Sequence, residues 1–198
     1  MGKIKNSPKI LGLDISTKTI GWALFGLKSQ KLLELTHFSP RVNPRPEDKI
    51  EEHLKKAEAF QEKLEEVKGL GVIRVIIEEP LLTSNNLYTV GTLLRYNSMI
   101  VKTVYDILNI VPTFISTYNS RKYAHPSLYG YNNKGKKVLF GGFPKEVNKK
   151  ELVWDQVKLL EPHIDWPLNK VGKPKKECFD MADAYSCVRG HMLQNGLW

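Results

Sequence analysis

Four acidic residues sit where acids are costly. Asp14 closes the apolar run that begins at Lys9, and Glu78 follows Val75-Ile76-Ile77, so each ends a segment of the kind that becomes a buried strand. A carboxylate there loses hydration unless a partner or a cation compensates. Asp180 and Asp183, three apart in Asp180-Met181-Ala182-Asp183-Ala184, would project from one helix face about one turn apart, where like charges repel. Each has an ordinary explanation when taken singly. A strand-end Asp can cap a turn such as Ser16-Thr17, and paired acids occur on solvated helix faces. Two acids at the ends of different strands, joined by a pair flanked by Met181, Ala182, Ala184 and Tyr185, fit a site better than a surface.

Four carboxylates without a His or Cys cluster suit hard cations, Mg²⁺ with Mn²⁺ as a substitute. Two such ions can activate a water and stabilise the leaving oxygen of a phosphodiester. Glu79 is the rival of Glu78, because neighbouring strand residues face opposite sides. Glu78 is preferred as the residue directly after the apolar run.

The elements that must position these acids follow from hydrophobic period and turn residues. Lys9–Asp14, Ile20–Phe25 and Lys31–His37 read as three strands with tight connections, an antiparallel meander. Residues 39–46, with three prolines, form a loop. From Glu47 to Lys68 the helical spacing Ile50, Leu54, Ala57, Phe60 or Gln61, Leu64, Val67 marks a helix ended by Gly69 and Gly71. Val72–Ile77 is a fourth strand, Asn85–Asn109 a second helix and Val111–Thr117 a fifth strand. Between Tyr123 and Lys150 regular patterning fails, and this stretch is too long for an ordinary connection. Helices resume at Lys149–Glu161 and, after the basic loop Asn169–Lys176, from Glu177 to about Leu193. The expected architecture is one α/β domain over 1–198, with strands of mixed direction.

The formal charge of +9 and the pI near 9.4 point to a polyanionic partner, since cationic side chains gain by displacing counterions from phosphates. With 41% hydrophobic residues the chain can bury a core without staples. Cys178 and Cys187, nine apart on a helix, would lie roughly 13 Å from each other, too far for a disulfide. Reduced thiols, a polar N-terminus unlike a leader and no membrane-length apolar run lead to an expectation of an intracellular, non-membrane protein.

Three motifs in order resemble those of RuvC-type Holliday-junction resolvases. Leu11-Gly12-Leu13-Asp14-Ile15-Ser16-Thr17-Lys18-Thr19-Ile20-Gly21-Trp22-Ala23 resembles the first motif and Val75-Ile76-Ile77-Glu78-Glu79-Pro80 the second. Asp180-Met181-Ala182-Asp183-Ala184 is similar to the final one, and the likeness runs from residue 9 to about 193. The resemblance implies a ribonuclease H-like fold, a five-stranded mixed sheet flanked by helices, and Mg²⁺-dependent, paired incision of four-way DNA junctions by a homodimer. Asp14, Glu78, Asp180 and Asp183 would be the metal-binding tetrad. Lys150 is the match for a basic residue near the scissile phosphate, with Lys149 beside it, and Arg121 and Lys122 occupy a place of basic DNA contacts. The basic 124–147 segment before the penultimate helix departs from bacterial relatives, and a viral or phage member would explain it.

Other readings compete. The first motif also resembles the phosphate loop of actin-like ATPases and sugar kinases, but the second half of such proteins is absent here. A non-catalytic DNA-binding module of the same fold should have lost one of the four acids. A less selective branched-DNA or RNA–DNA hybrid nuclease would use the same metal site. His125, His163 and His191 lack a ligand pattern, and Trp22 reads as core. Tyr123, Tyr129, Tyr131 and Phe140, interleaved with Lys134, Lys136 and Lys137, could stack on unpaired bases or form an ordinary surface loop.

Overall fold

Strand alternation sorts this chain's apolar residues into two layers. The computed structural model describes residues 7–43, 46–80 and 86–198. Strands β1 (Lys9–Ile15), β2 (Ile20–Gly26) and β3 (Leu32–Phe38) form the expected antiparallel meander. β4 (Val72–Glu78) pairs parallel to β1, and β5 (Thr113–Ile115) parallel to β4, giving the order β3-β2-β1-β4-β5. On one face Leu11, Leu13, Trp22, Leu24, Val75 and Ile77 pack with Phe60 and Leu64 of α1 (Lys49–Glu65) and Tyr96, Ile100 and Val104 of α2 (Leu87–Leu108). On the other, Ile10, Ala23, Phe25 and Ile76 pack with α5 (Lys176–Gln194), which α4 (Lys149–Leu160) covers from outside through Val153, Trp154 and Val157. The result is a mixed five-stranded sheet with helices on both faces, as the sequence led us to expect.

Helix starts follow from caps. Asp48 accepts from the amides of Ile50 and Glu51, Asn86 from Thr89 and Asn148 from Lys150, each satisfying an otherwise unpaired first-turn donor. Asn109 ends α2 in the left-handed conformation (φ 55°) while its amide reaches the Tyr105 carbonyl. Asn85, where the sequence placed the start of α2, lies outside the described residues.

Three details differ from the expectation. The fifth strand is shorter than Val111–Thr117, because Ser116 caps a helix, α3 (Thr117–Ala124), whose polar sequence lacks an apolar period. The supposedly irregular stretch contains a short antiparallel hairpin, β6 (Tyr129–Tyr131) with β7 (Lys137–Leu139), preceded by a 3-10 turn at Pro126–Leu128. In α1 the buried face is rotated at its start. Ile50 and Leu54 are exposed, whereas Glu52, His53 and Lys56 are buried, with Lys56 donating to the Thr17 carbonyl (2.8 Å) and pairing with Glu52 (2.7 Å). Cys178 and Cys187 are free and buried. No helix among the described residues is long and apolar enough to cross a membrane.

Candidate metal centre

Asp14, Glu78 and Asp183 meet where parallel strands β1 and β4 end beneath α5. Parity brings the first two there. Asp14 follows Ile10 and Gly12 on the α5 side of β1, and Glu78 follows Ile76 on the α5 side of β4. Glu79 is exposed and lines a groove between α2 and β5 instead. Glycines let the helix come down onto the strands. A Cβ on Gly12 would lie 2.6 Å from the Ala184 carbonyl oxygen, and one on Gly21, opposite Asp14 in the ladder, would collide with the Asp180 carbonyl. The turn of α5 that carries Asp180 and Asp183 is therefore seated directly over the carboxylate of the central strand.

Asp14, Glu78 and Asp183 each offer a carboxylate oxygen, and these oxygens lie within 4.8 Å of one another. Around a Mg²⁺ with bonds of about 2.1 Å, ligand oxygens stand roughly 3–4 Å apart, so small side-chain adjustments bring this trio onto one ion. Asp180 and Asp183 are 2% and 3% exposed, and Asp14 and Glu78 are partly buried. Among the described residues, Glu78 Oε1 and Asp180 Oδ2 are buried without a hydrogen-bond partner. Buried oxygens left unpaired are costly, and a hard cation is the partner their chemistry suits.

The electrostatics agree. Burial, then the charges of Glu78, Asp183 and Asp180, push the Asp14 carboxyl well above its ordinary range. Burial, then Asp183, raises Glu78 to about 7, although Arg121 opposes the shift. Burial raises Asp180 to about 6 against the pull of Lys176 and Lys150. Such a cluster exchanges protons for cations, because the charge that destabilises it unfilled is the charge that binds metal.

Among the described residues, Asp183 is the member of the group held in ion pairs. Arg121 of α3 donates Nη2 to both its oxygens (2.8 and 3.0 Å) and Nε to Oδ1 (3.2 Å). Lys150, at the start of α4, brings its Nζ to 3.8 Å from Asp183 Oδ2 while keeping half its side chain in solvent. Burial disfavours the Arg121 charge, but Asp183, Glu78 and Asp14 outweigh it and hold the guanidinium more firmly charged than usual.

Asp14, Glu78 and Asp183 come together, Asp180 lies beside them, and Lys150 reaches the group. Lys149 turns away, over the Phe140 ring (5.8 Å), and Lys122 faces Tyr118, Tyr123 and Tyr129. Arg121, expected to face phosphates, is turned inward with only 11% of its side chain exposed. No local pattern announces this, since α3 has no apolar period. His125 is structural. Its Nε2 donates to Ser186 Oγ (2.8 Å), whose hydroxyl donates to the Ala182 carbonyl, and burial, with Arg189 and Arg121 nearby, lowers its pKa to about 3. Trp22 is fully buried, as expected.

The mixed five-stranded sheet flanked by helices is the fold of known RuvC structures. By structure the chain is similar to RuvC of Thermus thermophilus in complex with Holliday junction substrate, at 10% identity and TM-score 0.63 over 96% of this chain and 95% of that one. A second Thermus thermophilus RuvC structure gives 13% identity and TM-score 0.58 over 96% of each chain. The yeast mitochondrial Holliday junction resolvase Ydc2 gives 13% identity and TM-score 0.57 over 99% of this chain and 82% of that one. No protein-family model matches the sequence, and no curated protein matches it significantly.

Proposed function

We propose that this protein is a metal-dependent DNA endonuclease that resolves four-way junctions by paired phosphodiester hydrolysis. The observation that carries the reading is the carboxylate group Asp14–Glu78–Asp183, with Asp180 adjoining, at the strand ends of a RuvC-like sheet. Divalent ions held there, Mg²⁺ with Mn²⁺ as substitute and two in number, would activate a water and stabilise the leaving oxygen. The chain's own residues do the rest. Asp14 and Glu78, fixed on strands, and Asp180 and Asp183, fixed on α5, hold the charge in place. Lys150, half in solvent and 3.8 Å from Asp183, would meet a scissile phosphate. Arg121 fixes the Asp183 carboxylate in one orientation. The overall charge of +9 draws the phosphate backbone toward an acidic centre that would otherwise repel it.

A four-way junction has two-fold symmetry, and one chain has one such centre, so the reading calls for a symmetric homodimer. Its support is the apolar groove of about 640 Å³ along α2 and β5, where Leu94, Tyr105, Val111 and Phe114 are exposed at 40–77%. An intracellular setting, free of membrane, suits reduced Cys178 and Cys187. Cleavage of a synthetic four-way junction in Mg²⁺, set against linear duplex, flap and RNA–DNA hybrid, tests the activity. Preference for the junction is expected, and preference for the hybrid overturns the assignment. Light scattering should give the mass of a dimer for wild type and of a monomer for Leu94→Glu. A monomeric wild type would overturn the symmetric mechanism.

A further inference from the structure

The hairpin that the sequence left without regular structure is built around a cation held among tyrosines. Lys122 Nζ lies 5.2 Å from the ring centre of Tyr123, 5.6 Å from Tyr129 and 6.0 Å from Tyr118. Lys137 stands 5.6 Å from the Tyr129 ring, and the hydroxyls of Tyr118 and Tyr129 are hydrogen-bonded at 3.1 Å, joining α3 to β6. This is a preformed platform rather than a set of loose side chains, yet it is open to solvent, with Tyr118 46% exposed and Tyr131, two residues along β6 from Tyr129 and so on the same side of that strand, 66% exposed. Aromatic rings kept in water beside lysines contribute little to a core.

Charge distribution identifies what they face. Between Asp106 and Glu146 the chain has no acidic residue, while Arg121, Lys122, Lys134, Lys136, Lys137 and Lys145 fall in that interval. A lysine over a tyrosine face is a local attraction, but this uniform sign over the segment is complementary only to a polyanion. Rings and lysines at one surface match a strand whose bases are unstacked, since bases stack on aromatics while phosphates meet the cations. Duplex offers phosphates without free base faces.

Two short links tie the platform to the carboxylate group. On α3, Arg121 is bonded to Asp183 while its neighbour Lys122 lies among the tyrosines. On α4, Lys150 reaches Asp183 while its neighbour Lys149 lies over Phe140, just beyond β7. From these contacts we infer that the α3–hairpin surface binds unpaired nucleotides of a DNA strand that passes the metal centre. The inference takes its substrate class from the nuclease reading above but does not need cleavage in order to be tested.

The test is fluorescence anisotropy in EDTA with a labelled thymidine oligonucleotide of about twelve residues and, separately, a labelled duplex. Tyr118→Ser/Tyr131→Ser should weaken oligonucleotide binding about tenfold and duplex binding about twofold or less, with an unchanged melting temperature. Tyr131→Phe should retain the wild-type affinity because the ring remains. Unchanged oligonucleotide affinity in the double variant overturns the inference, as does an equal loss on duplex, which would make the surface a backbone contact only. If the protein fails to cut any DNA yet shows the selective tenfold loss, the nuclease reading falls and the platform stands. If it cuts junctions and the oligonucleotide arm is flat, the platform falls alone.

Discussion

The two faces of the sheet solve the same packing problem with opposite tolerance for charge. Against α1 and α2, the strands present Leu11, Leu13, Trp22, Leu24, Val75 and Ile77, an uninterrupted apolar layer. Against α5 the layer begins in the same way, with Ile10, Phe25 and Ile76, and then gives way to Gly12, Gly21, Asp14 and Glu78. On the first face the strand residues of the apolar layer carry no charge, and the buried Glu52 and Lys56 come from the start of α1 and pair with each other. The second gives up some stability, since it buries carboxylates close together and, among the described residues, leaves Glu78 Oε1 and Asp180 Oδ2 unpaired. Carboxylates that the strands themselves bury, on one face and at one end of the sheet, mark the candidate site.

The largest expected effect breaks the second face while sparing the first. Asp14→Asn, Glu78→Gln and Asp183→Asn should each lower junction cleavage about 10³-fold or more while DNA affinity stays within about threefold, read by gel cleavage and by anisotropy. Near-normal turnover in any two of them dismantles the site. Asp180→Asn should fall in the same class, its unpaired Oδ2 being the reason.

A second prediction separates the members of the cluster. Asp183 is the acid with cationic partners, so Asp183→Asn strips a buried Arg121 of a bidentate anion and should cost about 3 kcal/mol in urea unfolding. Asp14→Asn relieves repulsion instead and should leave the metal-free protein as stable as wild type or more so. Equal destabilisation by both would mean that Arg121 does not discriminate between them.

The third follows the pH dependence of Glu78, raised to about 7 from 4.5 by burial and then by Asp183. Below 4.5 the carboxyl is protonated folded and unfolded alike. Between 4.5 and about 7 the unfolded chain has released a proton that the folded protein still holds, so stability falls across that window and levels off above it. In EDTA, Glu78→Gln should match wild type near pH 4.5 and exceed it by about 1 kcal/mol or more near pH 8. Added Mg²⁺ should shrink that gap by stabilising wild type. A gap that is constant with pH, or larger in acid, contradicts the placement of Glu78. The smallest effect belongs to Glu79, which points to the other face. Glu79→Gln should change cleavage by about twofold or less, and a loss like that of Glu78→Gln would reverse the parity argument.

Much of this contrast was legible in the residues. Short apolar runs with tight turns located β1, β2 and β3, the β-branched run Val72–Ile77 located β4, and the acid closing the first and fourth runs announced Asp14 and Glu78. The spacing of Asp180 and Asp183 placed both on one face of α5. What stayed hidden shares a physical reason. α3 carries Thr117-Tyr118-Asn119-Ser120-Arg121-Lys122-Tyr123-Ala124, whose order comes from the Ser116 cap and from packing on α5 rather than from an amphipathic period. The hairpin strands are three residues each, too short for alternation to register. The Arg121–Asp183 pair spans 62 positions and leaves no local trace. The start of α1 misled for the opposite reason, because Ile50 and Leu54 keep the period of a buried face while Glu52 and Lys56 form the contacts.

The central claim is that Asp14, Glu78 and Asp183 hold a divalent ion. Crystals soaked in Mn²⁺ and measured at the manganese absorption edge test it without any assay. The account predicts anomalous density among these three carboxylates, within reach of Asp180 Oδ2, and its absence in Asp14→Asn crystals soaked in the same way. Wild-type crystals with no density there, or with manganese bound only at other acids such as Asp165, would contradict it.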